Sequence, residues 1–296
     1  MTGLGIDHPL VCTRDLTRTR ETYLSLGFLM KPPGQHPWGT STALVIFRDQ
    51  LLELVGIGDE TLLDRYPAGD FRFGQHVQHW LAQREGVALS ALNSRDAEAD
   101  AAAVTARGGH CKGTIRFGRD VIRDDGTPDR TDTTLKIFTR EGLPRLTMFA
   151  CQQHRRDLIE FPAWMAHPNG AEGFGSATIL AEPQDQPSVR DWLACLHGAD
   201  AVQDTAWGFA VQTAKGQWRV TCRSQAAAIL GPLPKDLAPD GAPSVVSLDI
   251  LCRDLSVMGR HVRGSGLTHR VLDNTLILPD PPRLGGIILT FRQSEP

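Results

Sequence analysis

An aspartate followed twelve or thirteen residues later by a glycine recurs four times along the chain. The pairs are Asp15 and Gly27 in "RDLTRTRETYLSLGF", Asp96 and Gly108 in "SRDAEADAAAVTARGG", Asp185 and Gly198 in "QDQPSVRDWLACLHG", and Asp254 and Gly266 in "CRDLSVMGRHVRGSG". An aspartate before a helix accepts backbone N–H bonds, and a glycine after it adopts the left-handed turn that ends a helix. Each stretch therefore predicts one short helix. Each is preceded by an apolar run of strand-forming residues: "IDHPLVC", "VALSAL", "GSATIL" and "VVSLDILC". Two or three further β-like runs follow each helix, such as "TALVIF" and "LLELVGI" after the first. The order is strand, helix, then more strands, four times. A supersecondary unit of this size cannot bury its apolar face alone, so the units must share sheets.

The 296 residues suit two domains at about 100–200 residues each, hence two units per domain. The segment "RRDLIEFPAWMAHPNGAEGFG" between the second and third units holds two prolines and several glycines and reads as a linker. "GQHVQHWLAQREG", between the first and second units, spaces Val77, Trp80 and Leu81 as a helix does. A net charge of −3 gives no reason to expect nucleic acid as partner. No apolar run approaches the ~20 residues that span a bilayer, and residues 1–10 lack the pattern of a secretion signal. The six cysteines form no CxxC pairs and read as buried, reduced thiols, so a cytoplasmic location is expected. There is no phosphate-binding loop, GxSxG elbow or HExxH helix.

Two residues break the pattern of the first unit. His8 interrupts the apolar run of its first strand and Glu53 that of its last. If the strand alternates regularly, His8 shares a face with Ile6 and Leu10. Aligned by eye, the sibling units carry Leu89 and Ser247 opposite His8, with Thr178-Ile179 in the third. They carry Thr147, Thr221 and Thr290 opposite Glu53. A buried polar group without a partner costs about 1–3 kcal/mol, so His8 and Glu53 either pair with one another or hold something. The third and fourth units carry no histidine or acid at the aligned positions. Arg116, Arg119, Arg123, Arg130 and Arg145 in the second unit read as a solvated face, one or two of them available to an anionic substrate.

The four βαβββ units resemble the vicinal oxygen chelate superfamily (glyoxalase, extradiol dioxygenase and bleomycin-resistance proteins). "HPWGTSTALVIFRDQLLELVGI", after "DHPLVCTRDL", resembles the glyoxalase-like domain family in particular. The resemblance implies an α+β fold of two half-open β-barrel domains. Residues 1–155 would hold the site, 156–171 would link, and 172–296 would form a second barrel without a metal. It implies that His8 and Glu53 face the first cavity as ligands of a divalent ion (Fe, Mn, Ni or Zn), with Glu53 or a nearby base moving a proton. A third ligand is needed. The first strand of the second unit lacks a histidine, and His154 is the best remaining residue, as ligand or as substrate contact. His36 and Trp38 are expected on the substrate wall. The implied activity is a metal-dependent lyase or isomerase acting on a small oxygen-chelating substrate. The alternatives are a non-catalytic small-molecule binder of bleomycin-resistance type and an extradiol-type dioxygenase. The expected partners are that small molecule and a second copy of the chain in a homodimer, with neither nucleic acid nor membrane.

Overall fold

The computed structural model describes residues 3–123 and 125–294. The first half contains strands β1 (Gly5–Cys12), β2 (Gly34–Gln35), β3 (Thr40–Phe47), β4 (Gln50–Ile57), β5 (Gly86–Asn93), β6 (Cys111–Phe117), β7 (Asp120–Ile122), β8 (Pro128–Arg130), β9 (Thr133–Phe138) and β10 (Thr147–Gln153). Its helices are α1 (Leu16–Ser25), α2 (Phe73–Gln83) and α3 (Ala97–Ala106). A short helix α4 (Pro162–Met165) lies in the connecting segment. The second half contains β11 (Ala171–Leu180), β12 (Val202–Thr205), β13 (Gly208–Gln212), β14 (Gln217–Thr221), β15 (Ser244–Cys252), β16 (Arg270–Leu272), β17 (Thr275–Leu278) and β18 (Ile288–Gln293). With them come α5 (Gln186–His197), α6 (Arg223–Leu230) and α7 (Leu255–Ser265).

Each half is built on one eight-stranded curled sheet, and in the first half β7 and β8 pair apart as a two-stranded hairpin. The first runs β2-β3-β4-β1-β5-β10-β9-β6 and the second β12-β13-β14-β11-β15-β18-β17-β16. The repeat is visible in the pairing. In the first sheet β1 pairs with β4 in parallel, β5 with β10 in parallel, and the two units meet where β1 and β5 run antiparallel. The second sheet does the same with β11, β14, β15 and β18. These are the two half-barrels expected from the repeat.

The punctuation works largely as the sequence predicts. Asp15, Asp96 and Asp254 cap α1, α3 and α7 by accepting from Arg18 N, Ala99 N and Ser256 N. Asp185 makes no such side-chain bond; α5 instead has a proline in its first turn, which suits a helix start. Gly27, Gly108, Gly198 and Gly266 all take positive φ, as residues after a helix do.

One cluster of buried side chains from both halves, including Tyr23, Phe28, Trp192 and Phe291, forms the shared core. Tyr23 Oη donates to Leu284 O at 3.2 Å and Trp192 Nε1 to Leu146 O at 2.9 Å across the halves. The concave faces have their own clusters, one with Leu10, Trp38, Phe73 and Phe149, the other with Leu180, Leu230 and Ile288. The connecting segment is tied to the first half. His167 accepts from Leu29 N at 3.1 Å and donates to Ile46 O at 2.9 Å, and Asn169 donates to Leu26 O at 2.9 Å. All six cysteines are free. Among the described residues no helix is long and apolar enough to cross a membrane.

Candidate functional site

β1 and β4 lie side by side in parallel, with Leu10 opposite Glu53. That register brings His8 and Glu53 together on the concave face, His8 Nε2 to Glu53 Oε2 at 3.1 Å. Regular alternation would place Ile6 on this face as well. A bulge in the β1–β5 pairing between Ile6 and His8 prevents it. Ile6 turns into the shared core, while His8 and Leu10 line the concave cavity. Bulges re-aim side chains in this way beside functional sites. The same bulge sets the Asp7 carboxylate 3.2 Å from His8 Nδ1, an ion-pair contact. Arg156 from the connecting segment closes the far side of Asp7, with its two Nη atoms 3.2 and 3.3 Å from the carboxylate oxygens.

Glu53 is held at its other oxygen too. Thr42 on β3 donates to Oε1 at 2.5 Å, and His36 Nε2 stands 3.6 Å from the same atom. His36 is fixed by Thr40 Oγ1, 3.0 Å from Nδ1, and by stacking on Trp38 with ring centroids 4.7 Å apart. Four of the five residues expected at the site, His8, Glu53, His36 and Trp38, are thus gathered and buried.

Burial alone would discharge most of these groups. For Asp7 it is outweighed by His8 and Arg156, which hold the carboxyl below its usual range. For Glu53 it is outweighed by the hydrogen bond from His8, the His36 and His8 charges and the Thr42 hydroxyl, which hold it down at about 2. His8 sits between two carboxylates, and their pull overcomes its own burial and raises it to about 9. His36 gains too little from Glu53, and burial pushes it down to about 3. At neutral pH the set is an imidazolium between two carboxylates, with a neutral imidazole beside it.

These groups form the floor of an inner chamber of about 30 Å³, walled by Leu10, Trp38, Phe73, Phe117 and Phe149. The chamber adjoins an outer basin of about 580 Å³. His36, Leu44, Arg119, Thr131 and Ile159 line both, so they form the throat between them.

His154 is not part of this arrangement. It is exposed beyond the end of β10, its Nε2 2.9 Å from Thr134 Oγ1, and it lines a separate surface cleft with Arg95 and Gln152. His154 therefore does not supply the expected third metal ligand. A metal centre needs donors free to converge on the ion, yet His8 faces a carboxylate at each nitrogen and both Glu53 oxygens are engaged. Among the described residues no group of three or more His, Cys, Asp and Glu side chains is arranged to hold a metal ion. As placed, the residues do not fit one.

The strand register also corrects the alignment of the siblings. Leu10 pairs with Glu53; the matching pairs are Ala91 with Phe149, Thr178 with Arg219, and Asp249 with Thr290. Glu53 is thus matched by Phe149, Arg219 and Thr290, with threonine only in the fourth unit. The second half does carry a buried acid, at the position that matches Leu10. Asp249 accepts from Thr290 Oγ1 at 2.9 Å and from Arg292 Nε at 2.8 Å. Around it, α6 and the residues after it pack Leu230, Leu237 and Ala238 against Ile277 and Ile288.

The unit-two arginines separate sharply. Arg116 pairs with Asp132, Arg123 with Asp129 and Arg130 with Asp120. Arg145 is buried rather than solvated; it stacks on Trp80, donates to Trp80 O at 3.1 Å and faces Asp240. Arg119 has no such partner among the described residues and lines the throat. Composition alone had no means of telling it from the other four.

Among solved structures the chain resembles a hypothetical protein from Staphylococcus aureus, at 13% identity and a TM-score of 0.66, covering 98% of this chain and 100% of that one. It also resembles a mutant of 4-hydroxymandelate synthase from Streptomyces coelicolor (13% identity, TM-score 0.58, 99% and 93% covered). A third likeness is a xylose isomerase-like TIM barrel/4-hydroxyphenylpyruvate dioxygenase fusion protein (9% identity, TM-score 0.59, 99% and 49% covered). At such identities these likenesses speak for the fold alone. No curated protein matches in sequence. The glyoxalase-like domain profile matches residues 6–196, from the bulged strand that carries His8 through α5. With its four units paired into two half-barrels, the chain belongs to the glyoxalase-like domain family and has the vicinal oxygen chelate fold.

Proposed function

We propose that the first half binds a small organic molecule in the outer basin and throat that open onto the aromatic-walled chamber, and does so without a metal. This is the bleomycin-resistance kind of use of the fold. The observation that carries the reading is the state of Glu53, closed off between His8 at 3.1 Å and Thr42 at 2.5 Å on the cavity floor. Efficient proton transfer wants a group that titrates near the working pH. Here Glu53 and His36 are held far below neutrality and His8 above it. Such a floor is suited to hydrogen bonding a ligand rather than to cycling protons. The lining matches the usual makeup of a ligand pocket, mostly aromatic and aliphatic with a few convergent polar groups.

A metal-dependent lyase or isomerase is the second reading, because His8 Nε2 and His36 Nε2 both face Glu53. Two imidazoles and one carboxylate are a donor set that suits a divalent ion. That reading requires Glu53 to release Thr42 and His8 to lose its proton. The extradiol-type alternative depended on His154, which lies elsewhere.

The test is a fluorescence titration of EDTA-dialysed protein with benzamide, a neutral aromatic probe. Trp38 is the tryptophan in the cavity wall. Saturable quenching is expected, absent in Trp38→Phe and in Leu44→Arg, which obstructs the throat. Quenching that appears only after a divalent ion is added back, or none at all, overturns the proposal.

A further inference from the structure

We infer that the ligand of this cavity is a carboxylic acid, bound through Arg119 at the throat. The inference rests on the binding reading above and names the class of molecule that reading leaves open.

Arg119 is anchored at its backbone. Its N–H donates to Thr131 Oγ1 at 2.8 Å, and its carbonyl accepts from Thr131 N at 2.9 Å. This clamp closes the base of the β7–β8 hairpin and aims the side chain inward, where it lines both the inner chamber and the outer basin. The guanidinium is partly buried and has no hydrogen-bond or ion-pair partner among the described residues. Its electrostatic partners are Glu53 and Cys151 across the chamber. The other charges of the site balance in place: Glu53 with His8, Asp7 with His8 and Arg156, and Arg156 also with Glu160. Arg119 is the charge left facing open space.

A half-desolvated guanidinium without an acceptor is unfavourable, and five N–H donors in a fixed fork match a carboxylate in two-pronged fashion. The surroundings select the rest of the molecule. The inner chamber, at about 30 Å³, is too small for more than a small polar group. The outer basin, at about 580 Å³, has Leu44, Leu62, Leu158 and Ile159 for an apolar body. A ligand that places its body in the basin and its carboxylate at the throat satisfies both. Phosphate esters share the anionic chemistry and are separated from carboxylates by the test.

The experiment uses the full chain, EDTA-dialysed, with Trp38 fluorescence as readout. Four probes are titrated: benzoate, phenylacetate, and their neutral amides benzamide and phenylacetamide. Phenyl phosphate is the fifth. The expected result is that each acid binds at least tenfold more tightly than its amide, that phenyl phosphate binds more weakly than benzoate, and that Arg119→Gln erases the preference of acid over amide. Arg119→Lys should retain part of it. Because Arg119 forms no ion pair among the described residues, the variant should keep the wild-type circular dichroism and melting temperature. Amides binding as well as acids, a preference that survives Arg119→Gln, or phenyl phosphate binding best overturns this inference and leaves the cavity reading standing. Silence from all five probes overturns both.

Discussion

The sharpest consequence of the geometry concerns the charge of His8. Two carboxylates, Asp7 and Glu53, lie 3.2 and 3.1 Å from its ring nitrogens, and the imidazole is almost wholly buried. Burial opposes its protonation; the two carboxylates outweigh that and raise its pKa from 6.5 to about 9. Unfolding returns the imidazole to the ordinary value. Between pH 6.5 and 9 the folded chain therefore holds a proton that the unfolded chain has lost, and stability falls as pH rises through that window. The contribution is fully present below pH 6.5 and gone above 9. At about 1.36 kcal/mol per pH unit, the whole contribution is on the order of 3 kcal/mol. The perturbation is His8→Gln, which is neutral at every pH. The assay is the urea-unfolding free energy of wild type and variant from pH 6 to pH 10, taken as a difference so that groups common to both cancel. Wild type should lose about 3 kcal/mol relative to the variant across the window. Nuclear magnetic resonance of the ring nitrogens should show an imidazolium at pH 7. A flat difference, or a neutral His8 ring at pH 7, would mean that the two carboxylates do not hold the proton on His8.

Other expectations follow from the same contacts. Glu53→Gln removes one member of a buried charged pair and leaves His8 short of a partner; chemical denaturation should show a loss of about 3–5 kcal/mol. Gly39→Ala should destabilise by at least about 1–3 kcal/mol, because Gly39 has φ +82° and a Cβ there would stand 2.2 Å from Asp59 O; a melting temperature equal to wild type would count against the loop geometry that carries Trp38. His167→Ala orphans Leu29 N–H and Ile46 C=O, at about 1–3 kcal/mol each, and should speed protease cleavage within residues 156–170.

What was legible in the sequence was local. Asp15 and Gly27 mark α1 because a cap and a left-handed turn each depend on a few neighbouring residues. His8 and Glu53 stood out because ionisable residues inside apolar strands need a reason to be there. What escaped depended on pairing between distant strands. The match of Glu53 to Phe149 follows from the β5–β10 register, which periodicity alone does not fix. Asp7 joined the site only because of the bulge before His8, and Arg156 only because the connecting segment folds back onto β1. Arg119 was hidden among five arginines, since its meaning lies in the carboxylates that the others pair with and that it lacks among the described residues. His154 sat close enough along the chain to β10 to look like a ligand, but the strand ends before it and leaves it in solvent.

Elemental analysis per chain, on protein purified without chelator and without metal-affinity resin, separates a metal-free cavity from a metal centre. A site in which His8 is an imidazolium between two carboxylates predicts far less than one equivalent of iron, manganese, nickel or zinc. About one equivalent, lost in both His8→Ala and Glu53→Ala, would contradict it and return the cavity to metal-dependent chemistry.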